Sequence, residues 1–138
     1  MTYGEWEAGV PEEIKGDSLW KLRAYRLGLF LSDLVWNDAD APLKNRKTAS
    51  IADQLVRAAG HISACIAEGY SRDTGKARAV FYEYAMGSAR ESRDWYYKSR
   101  RAFDPKVTKH RLDTAMQIIR LTLKMASVER GLNRRASG

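Results

Sequence analysis

Five side chains could do acid–base or anion-binding chemistry if the fold brings them together: Gln54, Arg57, His61, Glu68 and Glu91. At about 100° per residue the first four share one narrow polar stripe of a helix. A hairpin between that helix and the next carries Glu91 to the same place, with Gln54 opposite Glu91 and Arg57 opposite Ser88. A glutamate beside a histidine can move a proton. The simpler role is a polar network lining the bundle or a subunit contact, with Arg57 paired to Glu91 or Glu68. A buried pair of that kind adds little net stability and fixes the register.

No other constellation asks for catalysis, and the chain reads as a non-enzyme with no catalytic residue, metal or cofactor. His61 and His110 lack ligand spacing with any cysteine or carboxylate. There is no glycine-rich phosphate loop and no nucleophile elbow. Gly87-Ser88-Ala89 falls in mid-helix, where small residues serve close packing.

A second set of residues suits a polyanion. Arg78, Arg90, Arg93, Lys98, Arg100 and Arg101 recur along one helix, interleaved with Tyr82, Tyr84, Tyr96 and Tyr97. Cations neutralise phosphates, and exposed rings can stack on unpaired bases. Most of Tyr82, Tyr84, Trp95 and Tyr96 are expected in the core or an interface, so the arginines and lysines carry the expectation. The charge balance agrees. Residues 1–70 hold 8 Lys/Arg against 10 Asp/Glu, whereas residues 71–138 hold 16 against 7. The second half is a basic surface suited to nucleic acid.

These residues need helices to position them. The three prolines, Pro11, Pro42 and Pro105, all fall outside long periodic segments. Residues 1–16 read as a flexible acidic arm carrying Tyr3 and Trp6. Glu5, Glu7, Glu12 and Glu13, with no apolar segment, do not make a signal peptide, and no run is long enough to span a bilayer. Asp17 and Ser18 can cap a first helix over about 18–37. A second runs from about Lys47 to Glu68, with Gly69 as its stop. A third spans about Lys76 to Ala102. Asp104-Pro105 opens a fourth that ends near Arg130 at Gly131, and residues 132–138 form a basic tail. Short connections between four helices predict an all-α, antiparallel up-and-down four-helix bundle over 17–131. The single cysteine, Cys65, forbids an intrachain disulfide and fits a reducing cytoplasm.

The helix faces ask for a partner. In the second helix Ile51, Leu55, Ala58, Ile62 and Ile66 form an apolar stripe, and Ala52, Ala59, Ser63 and Ala67 form a second face of small residues. In the third, Phe81, Ala85, Ser88, Ser92, Trp95, Ser99 and Phe103 make a core stripe. The fourth has two apolar faces: Leu112, Ala115, Met116, Ile119, Leu123 and Ala126, then Ile118, Leu121, Met125, Val128 and Leu132 opposite. Either the N-terminal arm covers the second face or copies of the chain associate through it. The expectation is a homo-oligomer with Ile118, Leu121, Met125 and Val128 at the interface.

From Gln54 to Glu91 the sequence resembles the four-helix-bundle proteins of the ribosomal-RNA intervening-sequence family. Their pattern is Q-x-x-R-A-A-x-S-I-x-x-N-I-A-E-G, then an arginine, an aromatic-containing helix and G-S-A-x-E. Gln54, Arg57, Ala58, Ala59, Ile62, Ile66, Ala67, Glu68, Gly69, Arg72, Phe81, Ala85, Gly87, Ser88, Ala89 and Glu91 match it. The motif's serine falls on His61, its asparagine on Cys65, and a second acidic position on Arg93. The resemblance implies a bundle assembling as a ring-like homopentamer. It also implies a nucleic-acid setting. Some members are encoded within inserts in large-subunit ribosomal RNA genes. The related accessory variability determinants of diversity-generating retroelements bind nucleic acid and a reverse transcriptase.

Two functions follow as expectations. One is a cytoplasmic nucleic-acid-binding oligomer, with RNA or DNA as partner, acting as an RNA chaperone or as adaptor to an enzyme such as a reverse transcriptase. The other is a protein–protein scaffold whose basic surface meets an acidic protein.

Overall fold

Several helix boundaries follow from local chemistry. The computed structural model describes residues 1–131, and among these there is no strand. The order is α1 (Tyr3–Ala8), α2 (Glu12–Lys15), a 3₁₀ turn (Ser18–Lys21), α3 (Arg23–Asp38), α4 (Asp40–Leu43), α5 (Ala49–Tyr70), α6 (Gly75–Lys98), a second 3₁₀ turn (Arg100–Ala102) and α7 (Pro105–Glu129). The expected basic tail, 132–138, lies outside the described residues. No described helix is long and apolar enough to cross a membrane.

Asp104 opens α7: its carboxylate accepts from the Lys106 amide at 2.7 Å, and Pro105 follows as the first helical residue. Gly131 closes it with φ +77, in the left-handed region that glycine enters without penalty. The Thr74 side chain accepts from the Ala77 amide at 3.1 Å and starts α6. Asp17 also caps, accepting from the Leu19 amide at 2.9 Å, but its turn is 3₁₀ and stops at Lys21. Leu22 is extended, so α3 begins at Arg23 and not at residue 18.

Gly69 is not the stop expected of it. It is helical and buried, and α5 runs on to Tyr70. A Cβ at Gly69 would lie 2.7 Å from the Phe81 Cβ and 3.3 Å from the Arg78 carbonyl oxygen, so the missing side chain lets α6 close against α5. Further along the pair, His61 meets Ser88. Contacts on the two helices thus run in opposite directions, displaced by about one helical turn from the expected register. Ser88 faces His61 where Arg57 was expected.

Helix α3 packs on α5 and α7, α5 on α6, and α6 on α7. Phe30, Leu31, Val35, Leu55, Ile62, Ile66, Tyr96 and Ile118 are the large side chains sealed at the centre. On α6 the core positions include Tyr82 and Tyr96, while Phe81 and Trp95 lie half-exposed with Arg72 and Lys98 over their rings. On α7 the buried stripe is Thr108, Thr114, Ala115, Ile118, Ile119, Thr122 and Ala126. The two-face reading of this helix is therefore corrected: Ile118 belongs to the core and Leu123 is exposed. Thr114 and Thr122 hold core places because their hydroxyls turn back on the helix. Thr122 donates to the Ile118 carbonyl at 2.7 Å, and Thr114 to that of His110 at 2.9 Å. Ser92 in α6 and Ser99 just after it do the same.

Residues 1–16, expected as a loose arm, form α1 and α2. Thr2 caps α1, and Trp6 is buried with its indole N–H donating to the Asp33 carboxylate at 2.6 Å. Its ring packs on Phe30 and stacks near Trp20. The arm docks on α3 and reaches α7 only near His110, Thr114 and Gln117.

Candidate functional site

The polar stripe of α5 borders a small cleft of about 150 Å³ lined by Arg57, Ala58, His61, Ser88 and Glu91. Its members are loosely coupled. His61 Nδ1 lies 3.5 Å from Ser88 Oγ and 3.9 Å from Cys65 Sγ. Glu91 accepts from the Trp95 indole at 3.4 Å, and Glu68 pairs with Arg72 at 2.9 Å. Arg57 is exposed and forms no ion pair among the described residues, so the expected Arg57–Glu91 or Arg57–Glu68 pair is not made within the chain. The one-turn register shift brings Arg57 and Glu91 to the same cleft, yet the two side chains do not form an ion pair. No carboxylate is hydrogen-bonded to His61 among the described residues, which is the contact a proton relay needs. Cys65 is buried, and burial followed by the nearby Glu68 charge pushes its thiol up, away from the reactive thiolate. Gln54 is half-buried, and Gly87 lies on the surface with open space around it.

The six expected phosphate-binding cations divide. Arg78 is withdrawn: it is ion-paired with Glu129 and donates to the Arg72 carbonyl at 3.0 Å, clamping α6 to α7. It also lies about 30 Å along the helix from Lys98, at 1.5 Å per residue. The rest cluster in the second half of α6 and just beyond. Arg90 is exposed, and Arg93 points its guanidinium at the Met116 sulfur, 2.7 Å away. With Asp94, Tyr97 and Leu112 they line a cleft of about 410 Å³. Lys98 pairs with Asp94 at 2.7 Å. Arg100 lies 4.1 Å over the exposed Tyr97 ring and donates to the Tyr97 carbonyl. Arg101 is exposed without an ion pair among the described residues.

The expected association face also changes. Ile118 is 0% exposed, whereas Val128 is 43% exposed. Leu121, Met125 and Val128 share an apolar groove of about 510 Å³ with Leu22, Tyr70 and Tyr82, flanked by Lys21 and Lys124. A second apolar groove runs between the arm and α3, beside Trp36, which is 75% exposed.

One polar cluster escapes a reading by sequence pattern. Asp38, the last residue of α3, accepts from the Tyr96 hydroxyl at 2.6 Å and from Arg111 at 2.7 Å. Burial and then the Asp38 charge push the Tyr96 hydroxyl pKa far up, so it stays protonated. Burial opposes the charge on Arg111, but the hydrogen bond and charge of Asp38 more than offset it, and its pKa rises. Asp38 reads from sequence as part of a connection, and Arg111 as one more surface cation. The detectable signal is a buried-side tyrosine on α6 that needs a hydroxyl partner.

No curated protein matches the chain. Its fold is similar to a solved structure from Bacteroides thetaiotaomicron VPI-5482, a protein with unknown function from the S23 ribosomal protein family. The TM-score is 0.68 at 15% identity, covering 75% of this chain and 97% of that one. At that identity the likeness is one of fold. The family model for the 23S rRNA-intervening sequence protein matches residues 21–124, and the chain belongs to that family.

Proposed function

We propose that the chain is a non-enzymatic, nucleic-acid-binding protein: an antiparallel up-and-down four-helix bundle that self-associates, as a pentamer on the resemblance described above. It acts as an RNA chaperone or as adaptor to a nucleic-acid enzyme such as a reverse transcriptase. The observation that carries this reading is the group of cations around the end of α6, the exposed Arg90 and Arg101 and the half-buried Arg100, beside the exposed Tyr97 ring. The family's link by name to a ribosomal RNA sequence supports it. The lone thiol of Cys65 suits a reducing cytoplasm.

Binding should be tight at low salt and weaken steeply as salt rises, with modest sequence preference, because these residues suit phosphates and no groove-reading element stands among the described residues. Arg90→Glu combined with Arg101→Glu, both at exposed positions, should remove binding in a gel-shift assay and leave helicity unchanged. The assay uses structured RNA, single-stranded RNA and duplex DNA. If none shifts at about 50 mM salt and micromolar protein, where a phosphate-contacting protein binds, the reading gives way to a scaffold that meets an acidic protein. The exposed Trp36 is the observation that favours that second reading.

A further inference from the structure

Two connections at one end of the molecule gather cations that have no carboxylate partners among the described residues. At the opposite end, arginines are tied up in ion pairs: Arg72 with Glu68, Arg78 with Glu129 and Arg130 with Glu83. At the end that holds the connections Arg111, Lys98 and Lys109 are also paired, with Asp38, Asp94 and Asp113, but the cations of the two connections form no ion pair among the described residues. That end is defined by Asp38, which closes α3 and binds both Tyr96 near the end of α6 and Arg111 in the second turn of α7. It therefore places the connection from α3 to α5 and the connection from α6 to α7 at the same end of the bundle. The first brings Lys44, Arg46 and Lys47, all exposed; the second brings Arg100, Arg101 and Lys106. None of these six forms an ion pair among the described residues. The acids nearest in sequence are Asp40 and Asp104, and Asp104 is occupied capping α7.

The first connection is also held in shape. Asn45 accepts from the Lys47 amide at 2.9 Å, and the Thr48 hydroxyl donates to the Pro42 carbonyl at 2.7 Å. A connection whose backbone is already held loses less entropy on meeting an anion than a loose loop does. Like charges held together repel, and a polyphosphate chain relieves that repulsion while releasing its own counterions.

We infer that this end of the molecule, built jointly from Lys44, Arg46 and Lys47 and from Arg100, Arg101 and Lys106, is where an RNA phosphate backbone docks. The inference rests on the nucleic-acid reading above and deepens it. The contact surface is an end of the helical array and includes a connection that carries no motif, where the sequence points to a stripe along α6.

The test is a salt titration of binding to a labelled RNA hairpin of defined sequence, with three proteins. They are the wild type, the triple variant Lys44→Ala, Arg46→Ala, Lys47→Ala, and a control triple variant Lys21→Ala, Lys76→Ala, Lys124→Ala at the opposite end. Both variants lose the same charge at exposed positions, and circular dichroism checks that both fold. The expected result is at least a tenfold loss of affinity at low salt for the first triple and a log–log salt slope shallower by about 2, as for two or three lost phosphate contacts. The control should stay within about twofold of wild type, since it leaves those contacts in place. Equal losses in both variants, or no loss in the first, overturn the inference and leave the nucleic-acid reading standing. A wild type that binds no RNA overturns both. Displacement of RNA by polyglutamate as readily as by unlabelled RNA also overturns it, because the end would then be a generic anion surface.

Discussion

Arg111 on α7 and Asp38 at the end of α3 form an ion pair at 2.7 Å with side chains only 14% and 12% exposed. The Tyr96 hydroxyl donates to the same carboxylate, so one acid joins three helices. Removing one partner of a sheltered pair strands the other charge, which costs more than the pair itself contributes. Arg111→Ala should therefore destabilise by about 3 kcal/mol. Tyr96→Phe, which removes one hydrogen bond to a charged acceptor, should cost about 1.5–3 kcal/mol. Urea unfolding followed by circular dichroism measures both. An Arg111→Ala midpoint equal to wild type would show that water screens the pair.

Two glycines should respond oppositely to alanine. At Gly69 the new methyl would press on Phe81 and the Arg78 carbonyl, so Gly69→Ala should destabilise by roughly 1–3 kcal/mol, as overpacking does. At Gly87 nothing lies within 4 Å of the added carbon, and the site is exposed in the middle of α6. Gly87→Ala should then raise the stability of the isolated chain by up to about 1 kcal/mol through helix propensity. If Gly87→Ala is neutral in unfolding but weakens self-association, a second copy approaches there.

The helix starts and stops that depend on neighbouring residues were legible in sequence. Asp104-Pro105 and Gly131 act through bonds and φ angles within a few residues, and they stand where local chemistry puts them. The arrangement of side chains between helices was not. Hydropathy scores Leu123 above Thr122, yet Thr122 is buried because its hydroxyl is satisfied by its own helix and leaves a methyl for the core. Asp38 and Arg111 are 73 residues apart, and only the assembled fold makes them partners. Gly69 reads as a helix stop from its type, but the approach of α6 decides its role. The packing of the two helices also sets the hairpin register, a turn away from the expected one, with His61 and not Arg57 opposite Ser88. The candidate cations were legible as types, while their pairing state was not: Arg78 and Arg101 look alike in sequence, and only one meets a carboxylate.

His110 should give the chain a mild acid sensitivity. Burial, and then the adjacent Arg111 charge, push its pKa below the ordinary 6.5, against smaller upward pulls from Asp113 and Asp38. Its folded-state pKa is thus below its unfolded one, and the unfolded chain binds the proton more readily. Stability should therefore fall as pH drops through about 6.5 toward the lower folded value, and be recovered above it. The urea midpoint should be lower at about pH 5.5 than at about pH 7.5, and His110→Gln should flatten that difference. An unchanged pH profile in His110→Gln would assign the sensitivity to other groups.

Ile118 and Val128 separate folding from assembly. Ile118 is sealed in the core, so Ile118→Ala should cost about 2–5 kcal/mol and lower the unfolding midpoint whatever the oligomeric state. Val128 is exposed at the rim of the groove it shares with Leu121 and Met125, and a glutamate there meets water in the single chain. If copies associate through this groove, Val128→Glu buries an unpaired carboxylate in the interface, which is costly. The variant should then dissociate in light scattering while keeping its helicity. The neighbouring Lys124 could pair with the new carboxylate, so Val128→Lys is the companion variant, adding a like charge beside Lys21 and Lys124. Dissociation by both variants would locate self-association on this face. A wild type that scatters as a monomer would remove the oligomer from the proposed function. An oligomer that survives both substitutions would move the interface elsewhere, with the Trp36 groove the next surface to change.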